Sequence, residues 1–185
     1  MTVAVRTIHW GITQLIERGM LMQTIRVEEV YKLHGIASIA IPLDSTLEEV
    51  INRFADDPRL RGIFLVDSRG RFAGEVALIH LMKWVHLRLY GASGVVQHHG
   101  SSGVGRAISA WEVSRLVSAT KARDVARGDW RDLGVKESDT LQAALNKMVE
   151  HETNILPVLD DQGRILGDLK LSEVLLKVIE VGRQG

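Results

Sequence analysis

The sequence predicts an α/β (α+β) chain built from two tandem β-α-β-β-α repeats packed with pseudo-two-fold symmetry, with further helices at the N-terminus and in the linker. Three observations predict it. The stretch VDSRGRFAG recurs as LDDQGRILG at one spacing, with Asp67, Gly70, Arg71 and Gly74 each 93 residues ahead of Asp160, Gly163, Arg164 and Gly167. Each copy follows a helix-start signal and a stripe of apolar residues at helical spacing. Each copy also leads through a short apolar segment into a second helical pattern. One unit of roughly 50 residues buries too little surface to be stable alone, so the two are expected to pack together.

Taken in chain order, TIHWGITQLIERGMLM places Ile8, Ile12, Leu15 and Ile16 on one helix face and ends at Gly19, a C-cap residue. In the first unit, ASIAIPL reads as a strand, and DSTLEEVINRF as a helix capped by Ser45 with Glu48 closing a capping box. Leu47, Val50, Ile51 and Phe54 form its apolar stripe. GIFLVD and FAGEVA are strands joined by DSRGR, where glycine permits positive φ and aspartate bonds its own backbone. LIHLMKWVHLRLY follows as a helix, with Leu78, Leu81, Met82, Val85 and Leu89 at core spacing. GASGVVQHHGSSGVG, from Gly91 to Gly105, reads as a flexible linker. Its loose GxxGxG and its His98–His99 pair lack the strand-to-helix context of a phosphate loop and the ligand number of a metal site.

A further helix, AISAWEVSRLV, leads into the second unit. There DLGVKE reads as a strand, and SDTLQAALNKMV as a helix begun by Asp139 and Gln142 with Leu141, Ala144, Leu145 and Met148 inward. NILPVLD and ILGDLK form the hairpin around DDQGR, and SEVLLKVIEV closes the unit with Val174, Leu175 and Val178. The added helices, with Trp10 and Trp111, either cover the core or make a subunit contact.

Composition narrows the function. Lys plus Arg and Asp plus Glu both number 23, so nothing steers the chain toward nucleic acid. The absence of cysteine removes disulfides, thiol catalysis and the usual zinc clusters, and suits a cytoplasmic protein. No apolar run approaches the roughly 20 residues that span a bilayer, so membrane insertion is not expected. His151 and Glu152 sit in a helix-to-strand turn with no nucleophile motif, P-loop or metal spacing nearby, so no catalytic residue and no metal site are assigned.

The duplicated units resemble the cystathionine-β-synthase (CBS) domain, whose tandem pair is called a Bateman module. The residues from Thr120 to Glu180 follow the pattern nearly throughout; the first copy keeps IPLDSTLEEVINRF and LVDSRGRFAG but has Phe64 where the second has Pro157. The resemblance implies an N-terminal helical extension over 1–25, a first CBS repeat over 26–90, a Gly/Ser-rich linker and helix over 91–118, and a second CBS repeat over 119–181. It also implies a non-catalytic regulatory module that holds AMP, ADP, ATP or S-adenosylmethionine in an inter-repeat groove and signals to a transporter, channel or enzyme.

In the family, ribose is read by G-x-x-[ST]-x-x-D after the last strand. Counting from Gly74 gives Ala77 and His80, which are degenerate; counting from Gly167 gives Lys170 and Glu173, which keep a carboxylate and add a cation. Lys170 and Glu173 are therefore the candidate ligand residues, against the plainer reading of an exposed ion pair at i, i+3. Two other readings stand beside the sensor. One is a degenerate pair serving only dimerisation or interaction, through outer helices holding Trp84 and Val178. The other, suggested by ITQLIERGMLMQTIRVEEV, is the cytosolic part of a chloride-channel-type or other transporter.

Overall fold

The computed structural model describes residues 24–31, 40–90, 109–127 and 130–183, with the backbone alone at 89 and 90. The expected first helix with Trp10, and the linker with His98 and His99, lie outside the described residues. The elements, in order, are α1 (Glu28–Tyr31), β1 (Ala40–Pro42), α2 (Leu47–Asp56), β2 (Gly62–Val66), β3 (Phe72–Ala77), α3 (Leu78–Tyr90) and α4 (Ala110–Ala119), then α5 (Leu141–Glu150), β4 (Ile155–Leu159), β5 (Ile165–Lys170) and α6 (Leu171–Gly182). Short 3₁₀ turns occupy Ala122–Asp124 and Trp130–Asp132.

The chain divides into two compact units, one of residues 39–131 and the other joining 1–38 to 132–185. The first is one continuous stretch of chain and the second is assembled from two. In the first, β1 pairs parallel to β2 and β2 antiparallel to β3, with Ala40 opposite Phe64 and Gly62 opposite Ala77. In the second, β4 and β5 pair antiparallel, with Ile155 opposite Lys170, while the expected strand DLGVKE is reduced to one parallel bridge between Val135 and Val158. Beside that bridge the Lys147 ammonium donates to the carbonyl oxygens of Asp132 at 2.8 Å and Gly134 at 2.6 Å.

Both helices at the start of the repeats are capped one residue later than the sequence suggests. The Thr46 and Thr140 hydroxyls accept from the N–H groups of Glu49 and Ala143 at 3.2 and 3.1 Å. Ser45 instead belongs to the turn after β1, its N–H donating to Pro42 O, and the Asp139 carboxylate is taken by the N–H of Lys136. The inward stripes then bury as periodicity requires: Leu47 and Val50 of α2, and Leu141, Ala144 and Met148 of α5, are buried. Ile51 is the exception and is exposed.

Each unit is completed by a strap from the other half of the sequence. Residues 24–31 close the unit of 132–183: Val27 and Val30 are buried, the Val27 N–H donates to Asp139 O at 2.9 Å, and Leu141 N–H donates to Ile25 O at 3.0 Å. Residues 120–127 do the same for the first unit: Ala122 and Val125 are buried, Ala122 N–H donates to Ser45 O at 2.8 Å, and Leu47 N–H donates to Thr120 O at 2.9 Å. The isolated bridges Arg26–Thr140 and Thr46–Lys121 mark the same exchange.

The expected core stripe of α3 does not bury as a whole. Leu81 and Trp84 pack on the cluster of Ile41, Leu47, Ile63 and Leu65, whereas Leu78, Met82 and Val85 are exposed. In α6, Val174 is buried and Leu175, Leu176 and Ile179 are exposed. The two outer helices thus leave apolar faces open.

Candidate ligand site at the β5–α6 junction

The duplicated DxxGR motif is a turn, built alike in both copies. Asp67 Oδ1 accepts the N–H groups of Arg69 and Arg71 at 2.8 and 2.9 Å, and its Oδ2 meets Arg71 Nε at 2.9 Å. Asp160 Oδ1 accepts from Gln162 and Arg164, both at 2.8 Å, and its Oδ2 meets Arg164 Nε at 2.7 Å. Gly70 and Gly163 stand at φ 73° and 77°, the left-handed region that glycine enters without a Cβ penalty. The N–H bonds from Arg71 and Arg164, followed by their guanidinium groups, hold the Asp67 and Asp160 carboxyls below the ordinary carboxylate range. The aspartate carboxylates and the N–H groups they collect are paired within the turn, which sets the course of the following strand.

The strand so aimed ends where the candidate residues lie. Lys170 is both the last residue of β5 and the N-cap of α6, with extended φ −96° and ψ 144°. Glu173 Oε2 accepts the Lys170 N–H at 2.9 Å. In the first copy the Ala77 N–H donates to His80 Nδ1 at 3.0 Å, the same relation one repeat earlier. At both junctions the side chain three residues on therefore closes the helix N-terminus.

The consequences differ between the copies. An imidazole that accepts at Nδ1 carries its proton on Nε2, so His80 has used its one acceptor. A carboxylate has two oxygens, and Glu173 keeps Oε1, which lies 3.7 Å from Lys170 Nζ. The two residues are not an exposed pair, since their side chains are 7% and 17% accessible. At these two junction positions, Glu173 keeps an oxygen beyond its cap bond and His80 keeps no second acceptor.

The sequence reading overlooked a third group. Asp168, 6% accessible, places Oδ2 3.0 Å from Lys170 Nζ. Alternation along β5 sends Asp168 and Lys170 to one face and the buried Leu169 to the other. Its counterpart 93 residues earlier is Glu75, fully buried, with Arg127 Nη1 3.6 Å away and Arg127 N–H bonded to Glu75 O at 3.1 Å. The signal was present in the repeat, as an acid after the second glycine of both copies. Tyr31 of the strap covers the opposite face of β5, the one shared by Gly167 and Leu169: its ring lies over Gly167, and its hydroxyl donates to Glu137. Among the described residues no group of three or more His, Asp or Glu side chains could hold a metal.

Two units of one wiring, each a small sheet with helices and a strap from the opposite half, define a tandem pair of β-α-β-β-α modules. Sequence comparison specifies the family. The CBS domain model matches residues 33–87 and 123–180, more than half of the chain, and the chain belongs to the CBS-domain family. No curated protein matches it significantly. Among solved structures it is similar to a CBS domain-containing protein from Thermotoga maritima, 22% identical with TM-score 0.64, covering 84% of this chain and 95% of that one. It is also similar to a CBS domain protein from Pyrobaculum aerophilum complexed with AMP, 18% identical with TM-score 0.57, covering 84% and 99%. The CBS domain of a bacterial CNNM/CorC family Mg2+ transporter in complex with ATP is 12% identical with TM-score 0.58, covering 91% and 97%. At these identities the likeness establishes the fold.

Proposed function

We propose that the chain is a non-catalytic regulatory module that senses an adenosine nucleotide or S-adenosylmethionine, once per chain, beside Lys170 and Glu173, and signals to a partner protein. The carrying observation is Glu173 Oε1, an acceptor at the ribose register that the first copy lacks. Family membership and the AMP and ATP complexes of proteins with this fold support the ligand class. The signal passes to a transporter, channel or enzyme partner, and the open faces of α3 and α6 serve a homodimer. No helix among the described residues is long and apolar enough to cross a membrane.

The test is calorimetry with AMP, ADP, ATP and S-adenosylmethionine on the wild type and two variants. Glu173→Ala is expected to weaken binding by about 1.5–3 kcal/mol, tenfold or more in Kd, the worth of hydrogen bonds to a charged group. It also removes the cap on α6, at about 1 kcal/mol of stability. Glu173→Gln retains a cap acceptor and separates the two effects. Two sites per chain, or one site indifferent to both substitutions, would refute the assignment. A second reading, a pair serving only interaction, is favoured by the degenerate Ala77 and the committed His80; absence of heat with every ligand would establish it over the sensor.

A further inference from the structure

We infer that Asp168 sets the junction against phosphate, so that the compound seated beside Lys170 and Glu173 is an uncharged or cationic adenosyl compound. The inference rests on the sensing function proposed above and selects among its ligands. By sequence alone Lys170 is the cation that would meet a phosphate. In the fold it is already committed, with its ammonium 3.0 Å from Asp168 Oδ2 and 3.7 Å from Glu173 Oε1. One cation thus serves two carboxylates, and the acids are 6% and 7% accessible.

A phosphate approaching Lys170 has two options, both unfavourable. It can displace Asp168, leaving a buried carboxylate without its partner, which is the costly way to break an ion pair. Or it can add its charge to a cluster that already carries an excess negative charge, where little water screens the repulsion. The N-terminus of α6 does not reverse this, because the Glu173 carboxylate already occupies it. A nucleoside hydroxyl, by contrast, can donate to Glu173 Oε1 without disturbing Lys170. A cationic substituent near the two acids is favoured outright.

The first copy shows that the arrangement is a pattern of this chain. Its acid at the same register, Glu75, is likewise buried and faces a cation of its own unit, Arg127, at 3.6 Å. In both copies an acid follows the second glycine of the turn-and-strand motif and lies beside a cation of its own unit.

Titration calorimetry at constant ionic strength with adenosine, AMP, ATP and S-adenosylmethionine tests the inference. The wild type is expected to bind adenosine or S-adenosylmethionine at least tenfold more tightly than AMP, with ATP weaker still. Asp168→Asn, which frees Lys170 from its nearest acid, is expected to cut that preference at least tenfold. Wild-type binding of AMP or ATP as tight as that of adenosine overturns the inference while leaving the sensing function in place. An unchanged preference in a folded Asp168→Asn protein removes Asp168 as its cause and overturns it equally. No heat with any of the four compounds overturns both. Should Asp168→Asn fail to fold, the wild-type preference decides alone.

Discussion

Asp67 and Asp160 each collect two backbone N–H groups and one arginine, and in doing so turn a five-residue loop into a fixed hairpin. Both carboxyls titrate below their ordinary range, chiefly through the backbone bonds from Arg71 and Arg164. A depressed folded pKa means that the stability they contribute is present above the unfolded carboxylate range. It is lost as pH falls through the lowered values. Carboxyl-carbon NMR titration should find both aspartates titrating later on acidification than an exposed carboxylate, and Asp67→Asn and Asp160→Asn should flatten the acid limb of the stability curve. Titration at the ordinary value would show that the turns are open in solution. The aspartate and glycine of each turn were legible in sequence because the requirement is local: one residue must accept positive φ and one must satisfy adjacent N–H groups.

The straps are the elements on which the two units depend, and glycines receive them. A Cβ at Gly167 would stand 2.9 Å from Tyr31 Cδ2, whereas one at Gly74 would meet Leu65 Cδ1 at 3.3 Å and Ala126 Cβ at 3.4 Å. Gly167→Ala must therefore move an aromatic ring whose hydroxyl is anchored to Glu137. It is expected to cost about 1–3 kcal/mol by overpacking, and Gly74→Ala less. Paired denaturation curves decide the order; equal midpoints would mean that Tyr31 does not hold its place. Val27 tests the exchange itself. It lies in the first half of the sequence, ahead of β1, yet it is buried in the unit of 132–183. Val27→Asp should lower hydrogen-exchange protection in β4 and β5 well before β2 and β3, because the charge is buried without a partner. Loss of protection in the first repeat alone would refute the strap assignment.

For the whole molecule, the unfilled requirement is a cover for the outer helices. Met82 of α3 and Leu175 of α6 occupy equivalent places and are 62% and 47% accessible, with Leu78, Leu176 and Ile179 beside them. Faces of this kind at related positions suit a self-complementary contact between two copies. Light scattering at tens of micromolar protein is expected to give a dimer, and the double substitution Met82→Asp with Leu175→Asp a monomer with both units still folded. A wild type that stays monomeric would leave these faces to another partner.

The sequence by itself determined the α+β class, the duplicated unit and both hairpins, while the register of Ala77, His80, Lys170 and Glu173 is what the family resemblance implies. The class, the unit and the hairpins follow from periodicity, turn chemistry and a constant spacing, all of which are properties of neighbours along the chain. The threonine caps lay within one residue of the expected ones, since adjacent hydroxyls and carboxylates are equally able to accept and only the backbone path chooses between them. What only the tertiary structure decided involves residues far apart: the exchange of straps, the cover that Tyr31 places on Gly167, and the pairing of Arg127 with Glu75. It also decided what the candidate pair could do. Burial of Glu173 and the approach of Asp168 to Lys170 depend on how β5 meets the rest of its unit, and that contact turned an apparent surface ion pair into a buried, over-compensated cation.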